Sequence, residues 1–327
     1  MRDDLTVAVD RVLHSGRFLL GPETEAFESE FAAFCGREHA VAVASGTEAL
    51  RLTLVALGIG PGDEVIVPAF TAVPTAAAVC ASGAVPVPVD FDPETAGLDP
   101  GAAAAAVTDR TRGVVPVHLY GRPSPLPDIG VPVIEDAAHA HGAPGPGGSA
   151  AAVYSFYPTK NLGGVGDGGA VVTDDAALAD AVRRLRAHGA RDGYEHVEIA
   201  GNSRMSEVES AALRVGLGRL TDLNARRRMI AARYRAAAPG LRWQTPHPGH
   251  VYHLCVARVA DRDSFRESVP FETAVHYPRA LTQQSGYARF TRSACPEAES
   301  WAAECVSLPC FPEMTDDEIE TVCRALA

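Results

Sequence analysis

The feature that most constrains the fold is a repeated alternation of short apolar segments and helical segments between about residues 40 and 175. The apolar segments are mostly hydrophobic at consecutive rather than alternate positions, which predicts strands covered on both faces of a sheet. Strand, helix, strand in repetition indicates a largely parallel sheet between helices. The predicted strands are 40–45, 64–70, 84–91, 113–121, 131–137, 151–157 and 169–174, and the predicted helices include 46–58, 74–83 and 101–113.

After Gly201 the pattern changes. Residues 204–238 contain little Gly or Pro and predict a long helix, and a proline-rich junction follows at 239–250. A chain of 327 residues is also long enough for about two domains. We therefore expect a large α/β domain with an N-terminal segment over 1–225, and a smaller α+β domain over 226–327.

Composition and charge exclude several classes of protein. The hydrophobic content of 46% and charged content of 21% are those of an ordinary globular chain. A net charge of -12 speaks against a nucleic-acid or anionic-membrane partner. We find neither a bilayer-spanning apolar run nor the pattern of a signal peptide. Seven scattered cysteines are typical of structural thiols, so we expect no metal and a cytoplasmic location.

Ligands of open α/β sheets bind at the carboxyl ends of the strands. Small polar or acidic residues stand at or near three predicted strand ends: Ser45-Gly46-Thr47, Glu135-Asp136 and Ser155. These positions are where the sequence predicts a binding site.

Lys160 stands between the predicted strand 151–157 and a glycine-rich turn, in the stretch "SFYPTKNLGGVGDGG". The glycines follow the lysine, so the stretch is not a P-loop. A solvated surface lysine is one interpretation. The other is a buried lysine with a lowered pKa, which covalent chemistry on carbonyl groups requires. The spacing alone leaves these two interpretations open.

Asp136 and the segment "SGTEAL" favour the second interpretation. Asp136 could be a helix N-cap, or it could face a cationic heterocycle. A lysine together with an acidic partner for a pyridinium nitrogen is what pyridoxal phosphate requires of its protein. In "SGTEAL", Gly46 permits close approach and a helix begins, which favours binding of a phosphate.

With these residues identified, the chain resembles the DegT/DnrJ/EryC1 family of pyridoxal phosphate-dependent aminotransferases. The resemblance covers nearly the whole chain and implies the fold-type-I architecture, with a mostly parallel seven-stranded sheet between helices. It rests on segments that occur in the same order, among them "SGTEAL", "DEVIVPAFT", "VHLYG", "VIEDAAHAHGA", "SFYPTKNLGGVGDGGAVVTDD", "GNSRMSEVESAAL", "VHYPRAL" and "SLPCFPEMTDDEI".

The resemblance implies roles for individual residues. Lys160 would bond the cofactor covalently and carry the proton, and Asp136 would pair with the pyridine nitrogen. His139 occupies a position that is usually Gln, near the phenolic oxygen of the cofactor. The implied phosphate contacts are Gly46, Thr47, Glu48 and Ser155, with Asn202 reaching in from the partner subunit of a homodimer with shared active sites.

Two departures from the family pattern stand out. Many relatives carry an aromatic residue, which stacks on the cofactor, where this chain has Ala72; Tyr120 is a candidate replacement. The segment 121–131 is too short for a full crossover helix, so either the helix is missing or a bare loop reaches the next strand, and the edge of the cofactor domain is expected to differ. On the substrate side, Tyr120, His276 and Tyr277 are candidates, although His276 and Tyr277 could equally be a structural pair.

The implied reaction moves an amino group from an amino acid, glutamate or glutamine, to a keto-sugar linked to a nucleotide. An acceptor of the keto-cyclitol type, as in aminoglycoside biosynthesis, is an alternative. Others are a different reaction of the same cofactor, such as sugar dehydration, and a non-catalytic protein that senses a sugar or the cofactor. The alanine- and arginine-rich composition suggests a high-GC bacterium and an antibiotic sugar pathway.

Overall fold

The computed structural model describes residues 2–145 and 147–327, which form eleven α-helices and fourteen strands. The helices are α1 (Arg2–Ser15), α2 (Pro22–Cys35), α3 (Gly46–Ala56), α4 (Val73–Ala81), α5 (Pro100–Ala105), α6 (Ala176–Leu185), α7 (Glu207–Leu217), α8 (Leu220–Ala237), α9 (Arg262–Ser268), α10 (Pro296–Glu304) and α11 (Asp316–Leu326). The strands are β1 (His39–Val43), β2 (Glu64–Pro68), β3 (Val85–Val89), β4 (Phe91–Asp92), β5 (Gly97–Leu98), β6 (Thr111–Val114), β7 (Ile134–Asp136), β8 (Ala151–Ser155), β9 (Gly169–Thr173), β10 (Ala190–Asp192), β11 (Glu195–His196), β12 (Arg242–Trp243), β13 (Cys255–Arg258) and β14 (Cys305–Leu308).

Seven strands form the central sheet, in the order β1-β9-β8-β7-β6-β2-β3. A parallel bridge between Val114 and Val133 joins the segment of β6 to the approach of β7. Only β9 runs antiparallel to its neighbours, β1 and β8. The other neighbouring strands are parallel. The predicted fold, a mostly parallel seven-stranded sheet, is confirmed.

Helices cover both faces of this sheet, as the consecutive apolar residues predict. In β1, Val41 and Val43 pack into one core together with residues of α3, α4 and α6. Ala40 and Ala42 point to the opposite core, where α2 contributes Phe27 and Phe31. Each apolar residue of the strand therefore has a helical layer to pack against.

The C-terminal part of the chain is built around a small antiparallel sheet, β12-β13-β14. Helices α8 and α11 pack on it through Ile230, Tyr234 and Ile319. The opposite side contributes Trp301, which packs with Phe70 of the large sheet region. The α+β character predicted for this region is what the structure shows.

Two helix predictions need correction. The single helix predicted over 204–238 is two helices, because α7 ends at Leu217, Gly218 follows as its C-cap, and α8 begins at Leu220. The helix predicted over 101–113 ends at Ala105, and Thr111 already begins β6. Between them Thr111 N–H donates to the carbonyl of Thr108, in a turn of Thr and Asp residues that favour such turns.

The shortened crossover is a bare loop. After a single 3₁₀ turn at Leu119–Gly121, residues 122–131 contain no helix. Side chains fix this loop in place: Arg122 Nε donates to the carbonyl of Thr245 at 2.8 Å, and Ser124 N–H donates to His118 Nδ1 at 2.9 Å. These hydrogen bonds hold the loop in position where a crossover helix is absent.

No helix in the described ranges is both long and apolar enough to span a membrane.

Candidate active site

A cavity of about 520 Å³ opens at the carboxyl ends of β7 and β8, where the sheet rule places a ligand. The structure brings most of the predicted residues together on its wall. These are Gly46, Thr47, Asp136, His139, Ser155, Lys160 and Tyr277. Predicted residues far apart in sequence therefore share one site.

Lys160 reaches this cavity from the turn that follows β8, in which its N–H donates to the carbonyl of Tyr157 at 2.8 Å. Burial lowers the pKa of Lys160 to about 8, and the nearby negative charge of Asp136 opposes part of that shift. A lysine with such a pKa is uncharged far more often than a surface lysine at neutral pH. The surface interpretation of Lys160 is thereby disfavoured, since the side chain lines this cavity.

Asp136 is the last residue of β7 and is almost fully buried. Its Oδ2 accepts a hydrogen bond from the Thr75 hydroxyl at 2.7 Å, and its Oδ1 accepts one from Ala138 N–H at 3.1 Å. The Thr75 hydroxyl also lies 3.2 Å from that of Thr71. These contacts fix the carboxylate at the cavity wall.

The N-terminus of α3 forms the part of the wall that suits an anion. Ser45 is the N-cap, and its hydroxyl accepts from Glu48 N–H at 3.2 Å. Gly46 lies directly against Ser155: a Cβ added at Gly46 would come within 2.6 Å of the Ser155 Cβ. Only glycine permits this approach, which brings the Ser155 hydroxyl and the first turn of α3 to one place.

Glu48 and Asn202, predicted as phosphate contacts, do not line the cavity of their own chain. The Glu48 carboxylate pairs with Arg51 at 2.7 Å and accepts a hydrogen bond from the Ser203 hydroxyl. Asn202 is exposed and accepts from Arg204 Nε at 2.9 Å. The proposed contribution of Asn202 to a partner's site remains a prediction.

His139 lies on the wall beside Asp136, with its ring 4.4 Å from that of His253. Its Nδ1 is 3.2 Å from the N–H of Tyr120 and accepts from it. Burial, and next the positive charge of Lys160, hold the pKa of His139 well below its usual value, so the ring is neutral. The proton of the neutral ring is therefore on Nε2, which makes this nitrogen a donor.

Tyr120 is not on the cavity wall, contrary to expectation. It is fully buried, its ring packs against Trp301, and its hydroxyl donates to the carbonyl of His276. It therefore cannot supply the aromatic face that Ala72 lacks, and no substrate contact follows for it. Among the predicted aromatic residues, Tyr277 is the one that lines the cavity.

His276 lies on the wall of a different, larger cavity of about 650 Å³ between β14 and α11. Its Nδ1 is 2.8 Å from the hydroxyl of Ser307. The lining of that cavity is mainly apolar and contains neither Lys160 nor Asp136. We therefore place the chemistry in the smaller cavity.

Four polar residues of the wall escaped the sequence reasoning: Thr71, Thr75, Tyr157 and Asp167. Thr71 precedes the N-cap of α4 and Thr75 lies in its first turn, and their hydroxyls are 3.2 Å apart. Asp167 stands in the glycine-rich loop after Lys160.

Comparison with known proteins agrees with this geometry. The profile of the DegT/DnrJ/EryC1/StrS aminotransferase family matches residues 1–327. A relative from Streptomyces venezuelae, dTDP-3-amino-3,4,6-trideoxy-α-D-glucose transaminase, is 44% identical over 336 residues, which cover 96% of this chain and 89% of the relative.

Two solved structures show the same fold. The crystal structure of S. venezuelae DesV in complex with a ketimine intermediate has a TM-score of 0.94 and 42% identity, and covers 99% of this chain and 94% of that one. NtdA from Bacillus subtilis with bound cofactor PMP has a TM-score of 0.92 and 30% identity, and covers 99% and 80%. The chain belongs to the DegT/DnrJ/EryC1/StrS family and is a pyridoxal phosphate-dependent aminotransferase.

Proposed function

We propose that this aminotransferase transfers an amino group from glutamate or glutamine to a keto-sugar linked to a nucleotide, in a biosynthetic pathway of the antibiotic-sugar type. The observation that carries the proposal is the single cavity in which Lys160, Asp136, Ser155 and the N-terminus of α3 converge. The S. venezuelae relative is by its name a transaminase of a dTDP-linked amino sugar, which supports the acceptor class.

The cavity fits pyridoxal phosphate. Gly46, Thr47 and Ser155 would hold the phosphate, and Asp136 would hold the pyridine nitrogen. When bound, the cofactor supplies an electrophilic carbon and a ring that accepts electrons from the reacting carbon. The close contact of Gly46 with Ser155 supports this assignment, because a Cβ at 46 would push the first turn of α3 away from the Ser155 side chain.

Lys160 would be the catalytic residue. Lys160 lines the cavity, where its amine would hold the carbonyl carbon of the cofactor and would move a proton to and from the substrate carbon. With the pKa of Lys160 lowered to about 8 by burial, both the charged and the uncharged amine are accessible at neutral pH. A group that must both accept and donate a proton needs this balance.

Asp136 and His139 would orient the reactants. Because Thr75 and Ala138 already donate to Asp136, its carboxylate is fixed while it holds a positive ring nitrogen. The Nε2–H of neutral His139 would donate to the phenolic oxygen of the cofactor. Tyr277 would contact the substrate, since it lines the cavity.

We further propose a homodimer with shared active sites, in which Asn202 of each chain reaches the phosphate in the other. Asn202 is exposed in its own chain. Large apolar side chains nearby in sequence are also exposed, with Ile199 and Tyr194 almost fully accessible. Contact with a second copy of the chain would bury these apolar side chains and remove them from water.

The division into domains at 225/226 also remains a proposal. It is supported by separate hydrophobic cores on either side, although α8 itself crosses the boundary. The cytoplasmic location is supported by the cysteines, which are all free thiols, as a reducing compartment requires.

A complementation experiment tests the shared site. Lys160→Ala and Asn202→Ala, each inactive or weak alone, are mixed after partial denaturation and refolded together. If sites are shared, half of the dimers are hybrids with one intact site, and activity returns to about a quarter of that of wild type. A refolded mixture no more active than either variant alone would reject the shared site. The amination activity of the wild-type protein with a dTDP-keto-sugar tests the acceptor separately.

A further inference from the structure

The glycine-rich loop 163–168 joins the turn of Lys160 to β9 and is tightly constrained. Phe156 N–H donates to the carbonyl of Gly168, and Gly164 N–H donates to the carbonyl of Phe156, both at 2.8 Å. A Cβ at Gly163 would lie 2.4 Å from the carbonyl oxygen of Pro158. The position of this loop therefore determines where Lys160 and Asp167 stand.

The carboxyl group of Glu209, on α7, lies directly against this loop. Its Oε2 accepts from Val165 N–H at 3.1 Å. A Cβ at Gly164 would lie 1.4 Å from Oε1, and one at Gly168 would lie 3.4 Å from the Glu209 Cγ. The glycines of the loop thus leave a space that the carboxyl group fills.

This carboxyl group is buried with only part of its hydrogen-bonding capacity satisfied. Glu209 is 3% exposed, and its Oε1 has no hydrogen-bond partner among the described residues. In the described parts of the chain no Lys, Arg or His forms an ion pair with it. A buried carboxylate with neither a cation nor a full set of donors is costly in its ionised form.

The groups that face Glu209 do not relieve that cost. From the loop comes Asp167, a charge of the same sign. On α7 itself, the Glu207 carboxylate is occupied with the main chain at Gly21 and Thr24. Phe156, after β8, and Met205, before α7, approach Gly168 at the same place as Glu209, and both are apolar.

We propose that Glu209 is a positioning residue with two states: protonated, it packs under the closed loop 163–168, and ionised, it favours opening of the loop to water. The loop would then set the positions of Lys160 and Asp167 according to pH.

The direction of the effect follows from linkage. Burial raises the pKa of Glu209 to about 7 in the closed loop; N–H groups of Val165 and Gly166 oppose this, and Asp167 adds to it. In an open, solvated loop the carboxyl returns to its ordinary pKa near 4.5. The equilibrium constant for loop closure is therefore largest below pH about 4.5. It falls by up to about tenfold per pH unit between pH 4.5 and 7, and is constant above pH 7.

Amide hydrogen exchange of Val165 and Gly166 in the full chain measures loop opening between pH 5 and 8, after division by the intrinsic exchange rates. We expect protection to fall by roughly tenfold per pH unit between pH 5 and 7, to level off above 7, and to be independent of pH in Glu209→Gln. Glu267→Gln, an exposed acid on α9, is the matched control and should keep the wild-type profile.

A flat wild-type profile would overturn the proposal whatever the variants do. So would a Glu209→Gln profile with the wild-type slope. If Glu209→Gln does not fold, Asp167→Asn replaces it: loss of the facing charge should move the upper break of the profile to lower pH, and an unmoved break would reject the proposal.

Discussion

Thr75 donates its hydroxyl hydrogen to Asp136 across 2.7 Å, which links the first turn of α4 to the acid at the end of β7. Thr75→Val keeps the shape of the side chain and removes this bond. Because hydrogen bonds to charged groups contribute about 1.5–3 kcal/mol, we expect affinity for pyridoxal phosphate to fall by about tenfold or more.

Equilibrium titration with the cofactor, followed by its visible absorption, measures that affinity. Thr53→Val is the matched control, since Thr53 is a buried threonine of α3 whose hydroxyl donates to the carbonyl of Ala49 and does not line the cavity. Affinity reduced equally in both variants, or in neither, would contradict the role given to Thr75.

Lys160 should react with added pyridoxal phosphate in a pH-dependent manner. Burial lowers the pKa of Lys160 to about 8, so the uncharged amine that attacks a carbonyl is the major form above pH 8. The rate of formation of the coloured, lysine-bound cofactor should rise about tenfold per pH unit below 8 and level off above it. Stopped-flow absorption of the apoprotein measures this rate, and a rise that continues to pH 10 would show an unburied, ordinary lysine.

Gly46→Ala should abolish cofactor binding. The added Cβ would lie 2.6 Å from the Ser155 Cβ and would separate the first turn of α3 from β8. Gly218→Ala, at the C-cap of α7, meets no atom closer than 3.9 Å and serves as the control. Spectral titration and thermal melting of both variants distinguish loss of the site from loss of the fold. A Gly46→Ala protein that binds the cofactor normally would contradict the proposed phosphate site.

Glu207 connects the N-terminal segment to α7 through hydrogen bonds. Its carboxylate accepts hydrogen bonds from the N–H groups of Gly21, Glu23 and Thr24 at 2.8 to 2.9 Å and from the Thr24 hydroxyl. Burial alone would raise the pKa of Glu207, but these donors outweigh it and lower the pKa. We expect Glu207→Gln to lower the free energy of unfolding by about 2–3 kcal/mol at pH 7.

The sign of its pH dependence follows. A lowered folded pKa gives stability that is present above the ordinary pKa of 4.5 and is lost as the pH falls through the folded value. The difference between wild type and Glu207→Gln in urea denaturation should therefore shrink below pH 4.5. A difference that does not change with pH would show that the donors do not act on the ionised form.

The seven strands and the three principal site residues could be predicted from sequence because each depends on a local pattern. Consecutive apolar residues mark strands with two covered faces; Asp136 and Ser155 stand at strand ends, and Lys160 lies in the turn after β8. Thr75 was missed because its importance depends on a partner 61 residues away in sequence.

Tyr120 was misplaced for the same reason. The resemblance suggested it as a replacement for the aromatic residue missing at Ala72, yet a φ of 62° turns the chain at Tyr120, and the side chain enters the core beside Trp301. The break between α7 and α8 did not follow from the low Gly and Pro content of 204–238, because the few glycines present, Gly216 and Gly218, stand where α7 ends.

The most direct test is the visible spectrum of the purified protein with pyridoxal phosphate, before and after addition of glutamate, beside Lys160→Ala. Our account predicts a yellow band of lysine-bound cofactor that glutamate converts to the amine form, and that the variant lacks. A wild-type protein that forms no such band would contradict the central claim. It would indicate that the fold serves to bind ligands and not to transfer amino groups.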